Sequence, residues 1–208
     1  MSLRRASAVV LPLFFLSGAL ALVYQVVWSR VMTHVFGSTA LAVGAVIAAF
    51  MAGMALGSWW FGRLADRSRN GLRLYALVEL GIAAAAVLAH LALNLLDPAY
   101  PAIYRMVSGL AVLTGLVRFL LAFLLVMAPT VLMGATLPAL TRYLLRRDTP
   151  VGVQLSTLYA INTLGAVTGV LLTGFVLIRA WGIHPPVHLA VAGNLLIGCV
   201  AWLASRNV

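Results

Sequence analysis

The sequence predicts an all-α membrane domain of six transmembrane helices, arranged as a 3+3 inverted repeat. Three observations carry this. Hydrophobic residues make up 63% of the 208-residue chain and charged residues 9%, against roughly half and about a quarter in soluble domains. The apolar residues fall in six runs, at positions 8–30, 40–62, 73–96, 116–141, 155–178 and 186–204. Each is long enough for a helix to cross a hydrocarbon core about 30 Å thick. Finally, Gly53, Gly57, Gly62 and Arg67 recur 112 positions later as Gly165, Gly169, Gly174 and Arg179. The same offset carries Arg30 onto Arg142 and Gly81 onto Gly193. With three spans per copy, the second copy enters the membrane the other way up, a construction many transporters share. The runs lack the period-2 alternation of barrel strands, so helices remain as the spanning element.

The first run follows Arg4 and Arg5 and passes Ala19-Leu20-Ala21, which mimics a signal peptide. It stays apolar through Val27, so it is read as a first span that is retained. Tyr24, Gln25 and Trp28 lie near its middle, and Arg30 at its end. The second run carries Gly53 and Gly57, a small-xxx-small pair that permits close helix approach. The third carries Glu79 about two turns, roughly 9 Å, from its start. Asp97-Pro98 and Pro101 predict its end. The following connection, 97–115, is expected to be the longest, with a short surface helix over 103–113 and Tyr100 and Tyr104 at headgroup level.

The fourth run holds Arg118 near one end, then Pro129, Gly134 and Pro138, which predict kinks. The fifth holds Tyr159, Asn162 and Thr163, followed by the packing pair Gly165 and Gly169. A tight turn at His184-Pro185-Pro186 precedes the sixth, which contains Asn194 and the lone Cys199. Asn94 and Asn194 are read as structural, and Cys199 as a small packing residue. No linker and no soluble domain is present.

All fourteen basic residues are arginine, against Asp66, Glu79, Asp97 and Asp148. The absence of lysine excludes Schiff-base chemistry and a P-loop lysine. The net charge of +10 resides at span ends and is a topology signal, so nucleic acid is not an expected partner. Arg4, Arg5, Arg63, Arg67, Arg69, Arg73, Arg142, Arg146, Arg147 and Arg206 fall on one side of a six-span topology; Arg30, Arg105, Arg118 and Arg179 fall on the other. That bias places both termini in the cytoplasm, at a bacterial-type inner membrane.

Ionisable groups inside a bilayer are costly and need a reason. Glu79 is either a cation or proton site facing the bundle interior, or a carboxylate reaching the cytoplasmic headgroups and pairing with Arg73 or a neighbouring helix. Arg118 either binds an anionic group or snorkels to the interface. Gln25 and Asn162 either hold a polar substrate or join helices; Tyr24 and Tyr159 stand beside them. His34, His90, His184 and His188 lie near helix ends. The prolines after His184 remove helical spacing between His184 and His188, and an outer metal site or pH sensor there is the alternative to interface residues. No catalytic set emerges, so no enzyme activity, cofactor or metal is expected.

Gly62-Arg63-Leu64-Ala65-Asp66-Arg67 resembles the G-x-L-A-D-R loop signature of the major facilitator superfamily, between its second and third helices. That resemblance implies a conformational role for Gly62, Asp66 and Arg67. Arg118-Phe119 resembles the start of that superfamily's fourth-helix motif, with Ala122 where a glycine is usual. Gly165 and Gly169 are similar to its fifth-helix glycine motif, without the proline. Phe15-Leu16-Ser17-Gly18, Tyr24-Gln25-Val26-Val27-Trp28, Met133-Gly134-Ala135-Thr136-Leu137-Pro138 and Tyr159-Ala160-Ile161-Asn162-Thr163-Leu164-Gly165-Ala166 resemble the membrane module of spermidine synthase-like integral membrane proteins. The soluble aminopropyltransferase domain of that family is absent from this sequence.

Together the resemblances imply half of a major facilitator. The expected activity is transport of a small polar or cationic solute, polyamine-related by resemblance, by a parallel homodimer with alternating access. The alternative is a non-transporting membrane anchor for a separate soluble synthase-like partner.

Overall fold

A computed structural model of the chain describes residues 3–37, 39–107, 109–144 and 150–206, with side chains from residue 9 onward apart from 41, 107 and 111. Arg146, Arg147, Asp148 and the side chains of Arg4 and Arg5 lie outside the described residues. The chain forms α1 (Leu3–Phe36), α2 (Ala40–Arg67), α3 (Gly71–Val107), α4 (Ala111–Leu144), α5 (Val151–Trp181) and α6 (Pro185–Ser205). No strand occurs among the described residues. Among the described residues, six helices are long and apolar enough to cross a membrane, and we read the chain as a multi-pass membrane protein. The end of the bundle where α2 turns into α3 is termed the near end; the opposite one is the far end.

Two sequence expectations fail for α3. Pro98 and Pro101 lie inside the helix and do not end it. Each removes one N–H and leaves a carbonyl four residues earlier, at Asn94 and Asp97, without its helical donor. Packing overrides that loss. Leu96 and Tyr100 are buried, and the Tyr100 ring lies 4.9 Å from that of Phe36 on α1. The surface helix expected over 103–113 is therefore absent: α3 runs to Val107, and the chain reverses near Gly109, whose φ of 105° favours glycine. The long connection expected at 97–115 does not form, because α3 continues to Val107 and α4 begins at Ala111.

Pro129 and Pro138 likewise sit within a continuous α4. Beside Pro129, Thr130 donates its hydroxyl to the carbonyl of Val126 at 2.7 Å. Helix α5 contains one wide π turn, Thr173–Leu177. At α6 a third expectation fails. His184 has helical dihedrals (φ −81°, ψ −41°), and Pro185 and Pro186 occupy the first helical positions. Those positions need no intrahelical N–H donor, so prolines fit there. Helical spacing therefore does apply to His184 and His188.

Helices pack in two close pairs, α1 on α5 and α2 on α4, with α3 bridging α4 and α6. Lipid tails are as apolar as leucine, so close backbone approach rather than apolar burial must hold such pairs. Glycine supplies that approach. A Cβ on Gly57 would run into the carbonyl of Val131, and one on Gly53 into Thr130. Across the other pair, a Cβ on Gly169 would strike the carbonyl of Ala19, and one on Gly165 that of Phe15. At the near end, Asn70 Nδ2 donates to the carbonyl of Ser205 at 3.1 Å, tying the start of α3 to the end of α6.

Candidate functional site

Glu79 is fully buried. It lies on the face of α3 that meets α1 and α6, and each neighbour contributes a donor. Ser17 Oγ donates to Oε1 at 2.6 Å. Asn194 Nδ2 donates to Oε2 at 2.5 Å. The hydroxyl of Tyr75, one turn earlier on α3, donates to the carbonyl of Leu13 on α1 at 3.4 Å. Asn194 uses both ends of its amide, because its Oδ1 accepts from Tyr24 OH at 2.9 Å. Trp28 stacks on Tyr24, with ring centroids 5.0 Å apart; its buried Nε1 has no partner.

Neutral groups on α1 and α6 donate the hydrogen bonds that hold this carboxyl. Arg73, the cation expected to pair with Glu79 if it reached the headgroups, instead lies over the Trp202 ring at 4.6 Å. The headgroup reading of Glu79 does not match this geometry.

A cavity of about 290 Å³ lies beside this hydrogen-bonded shell, and Glu79 itself does not line it. All six helices line it: Ser17 and Gly18 from α1, Met54 and Ser58 from α2, Ile82 from α3, Gly134 and Thr136 from α4, Tyr159, Asn162 and Thr163 from α5, and Asn194 from α6. Small residues open the space, and hydroxyls and amides give it polar contacts. The volume sits at the lower end of the roughly 300–1,000 Å³ range of ligand pockets, which suits a small solute. Ser17 and Asn194 belong both to the cavity wall and to the shell of Glu79.

The structure brings Glu79, Tyr24, Asn162 and Tyr159 to this region and leaves two candidates out. Gln25 is half-buried and belongs to neither the cavity wall nor the hydrogen-bond chain. Arg118 lies at the far end, where Nε donates to Tyr100 OH at 3.0 Å and Nη1 to Thr39 Oγ1 at 3.4 Å. Its guanidinium is 5.9 Å from the Tyr104 ring centroid. Tyr100 is 21 positions from Glu79 on α3, roughly 30 Å along a helix. Arg118 and Glu79 therefore cannot share one solute.

Gly62, Asp66 and Arg67 were expected in a loop; they form the last turns of α2, and Ser68, Arg69 and Asn70 connect it to α3. Asp66 and Arg67 are exposed. Gly62 and Asp66 line a near-end cleft with Thr141 and Arg142 of α4 and Leu155 of α5. A Cβ on Gly62 would meet nothing within 4 Å, in contrast to the four packing glycines.

Sequence reasoning missed Ser17 and Tyr75 and set Asn194 aside as structural. Asn194 stands mid-way along α6, as the only amide in that helix. A lone amide in the middle of an apolar span was a usable signal, because it needs a partner inside the bundle. Ser17 carried a weaker one, since a hydroxyl can satisfy itself on its own helix.

No family model, curated protein or solved structure matches this chain.

Proposed function

We propose that this chain is a half-size, major facilitator-like transporter of a small polar or cationic solute, built as a 3+3 inverted repeat and working as a parallel homodimer by alternating access. The observation that carries this reading is the wall shared by the cavity and the Glu79 shell: Ser17 and Asn194 line the space and also hold the buried carboxyl, which does not itself line it. A solute entering the cavity competes for those two donors, and a proton or cation on Glu79 is coupled to it through them. Asn162, Thr163 and Tyr159 of α5 supply further polar wall. A polyamine-related amine is the cargo that the sequence resemblance favours, and one carboxyl per subunit limits how many cationic charges each subunit can neutralise.

The repeat reading is supported by the helix contacts. Adding the 112-residue offset to Gly57 gives Gly169, and adding it to Ala19 gives Val131. Gly57 abuts Val131, and Gly169 abuts Ala19. The two contacts exchange under a single operation that swaps α1 with α4 and α2 with α5. The homodimer reading is supported by Tyr159, which lines the cavity yet is 64% exposed. A polar group at that depth favours protein or water over lipid, and a second copy in the same orientation would cover this side of the cavity. Cytoplasmic termini follow from the arginine bias.

The test is flux in reconstituted vesicles with labelled amines, amino acids and cations, comparing the wild type with Glu79→Gln. Saturable flux that the substitution abolishes supports transport. Absence of flux for every solute, with a soluble synthase co-purifying from the native membrane, would replace it with the anchor reading.

A further inference from the structure

At the far end, outside the Glu79 site, two imidazoles meet and a third lies close by. His90 on α3 is buried, and its Nε2 lies 3.4 Å from His184 Nδ1 at the start of α6. The His90 ring centroid is 5.2 Å from that of His184 and 5.9 Å from that of His188. His90 Nδ1 is buried without a hydrogen-bond partner. We propose that His90, His184 and His188 form a binding site for a divalent transition-metal ion of the zinc or nickel type.

The spacing supports this. Two imidazole nitrogens that each bind one tetrahedral ion at about 2.0–2.1 Å stand about 3.3–3.4 Å apart. The His90–His184 nitrogen pair already has that separation, which exceeds the usual range of a hydrogen bond from N–H. The ring of His90 is committed to no backbone carbonyl or carboxylate, so a ring flip presents either nitrogen to the ion. His184 and His188 follow the i, i+4 spacing by which one helical face offers two imidazoles to a metal. That spacing exists because both prolines fit the first turn of α6.

Among the described residues, no three ligand-type side chains already converge on one point. The site is thus a two-histidine core. His188 is exposed and becomes the third ligand by rotating about its side-chain torsions, with water completing the shell. The positive end of the α6 dipole opposes a cation here, so the affinity is expected to be micromolar rather than that of a buried structural zinc. A bound ion would clamp the start of α6 onto α3 at His184, ten residues before Asn194, or roughly 15 Å along the helix.

The test is titration of tag-free, detergent-solubilised protein with zinc chloride and nickel chloride, read by calorimetry and by thermal unfolding. One ion per chain should bind saturably, raise the melting temperature, and lose that effect on chelation. His90→Ala and His184→Ala should each weaken binding on the order of tenfold or more. His188→Ala should weaken it to a smaller extent, and His34→Ala, on exposed α1 surface, should leave it unchanged. If His90→Ala fails to fold, the exposed His184 and His188 carry the test. Absence of saturable binding, or wild-type affinity in His184→Ala, would overturn the proposal.

Discussion

Asn194 Nδ2 donates to Glu79 Oε2 at 2.5 Å, so α6 fixes the one acidic side chain that is buried among the described residues. Ser17 fixes the other carboxyl oxygen from α1. An unmatched polar group in this position is costly, and a satisfied one locks three helices together.

Glu79→Gln preserves the volume of the side chain and still accepts from Ser17. Its amide nitrogen, however, meets that of Asn194 unless one of them turns. We expect a stability loss of about 1 kcal/mol and complete loss of flux. Glu79→Ala leaves donors of Ser17 and Asn194 unmatched and should cost about 1–3 kcal/mol. Thermal unfolding in detergent, run beside the flux assay, separates the two effects.

Asn194→Leu removes the donor to Glu79 and the acceptor for Tyr24 in one step. Tyr24→Phe removes only the second contact. A double-mutant cycle between the two should show a coupling of about 0.5–2 kcal/mol, because the residues share one hydrogen bond. Strict additivity would show that the chain from Tyr24 through Asn194 is not formed.

The glycines divide by what stands opposite them. Gly57→Ala and Gly169→Ala each drive a methyl group into a facing carbonyl and should cost about 1–3 kcal/mol. Gly62→Ala meets open space and should stay within about 0.5 kcal/mol. Similar losses at Gly57 and Gly169, measured by unfolding, are what the proposed repeat requires.

Arg118→Ala removes donors to Tyr100 and Thr39, far from the cavity. We expect lower stability, by about 1 kcal/mol, with flux retained within a few-fold. Flux abolished in Arg118→Ala, in protein that folds normally, would return Arg118 to the solute path.

What the sequence disclosed depended on how local each signal was. Span existence rests on uninterrupted apolar length, and all six expected runs fall within single helices. Helix ends were less legible. Pro98 and Pro101 signal a break to any local rule, yet Tyr100 packed on Phe36 carries α3 through both. The prolines after His184 misled in the opposite way, because their meaning depends on whether they stand inside a helix or open one. At the site, Glu79 stood out as a charge within an apolar span. Asn194 did not, because its weight comes from two partners, Tyr24 and Glu79, 170 and 115 positions away in the chain. Arg118 also stood out in sequence, as a charge near the other end of a span, and its partners Tyr100 and Thr39 hold it far from Glu79.

The measurement that bears most directly on the central claim is flux of labelled small amines and cations into vesicles holding the wild type or Glu79→Gln, at matched protein incorporation. The account predicts saturable flux by the wild type and none by Glu79→Gln, with both proteins folded. Equal flux by the two, or no flux by the wild type for any solute tested, would contradict it.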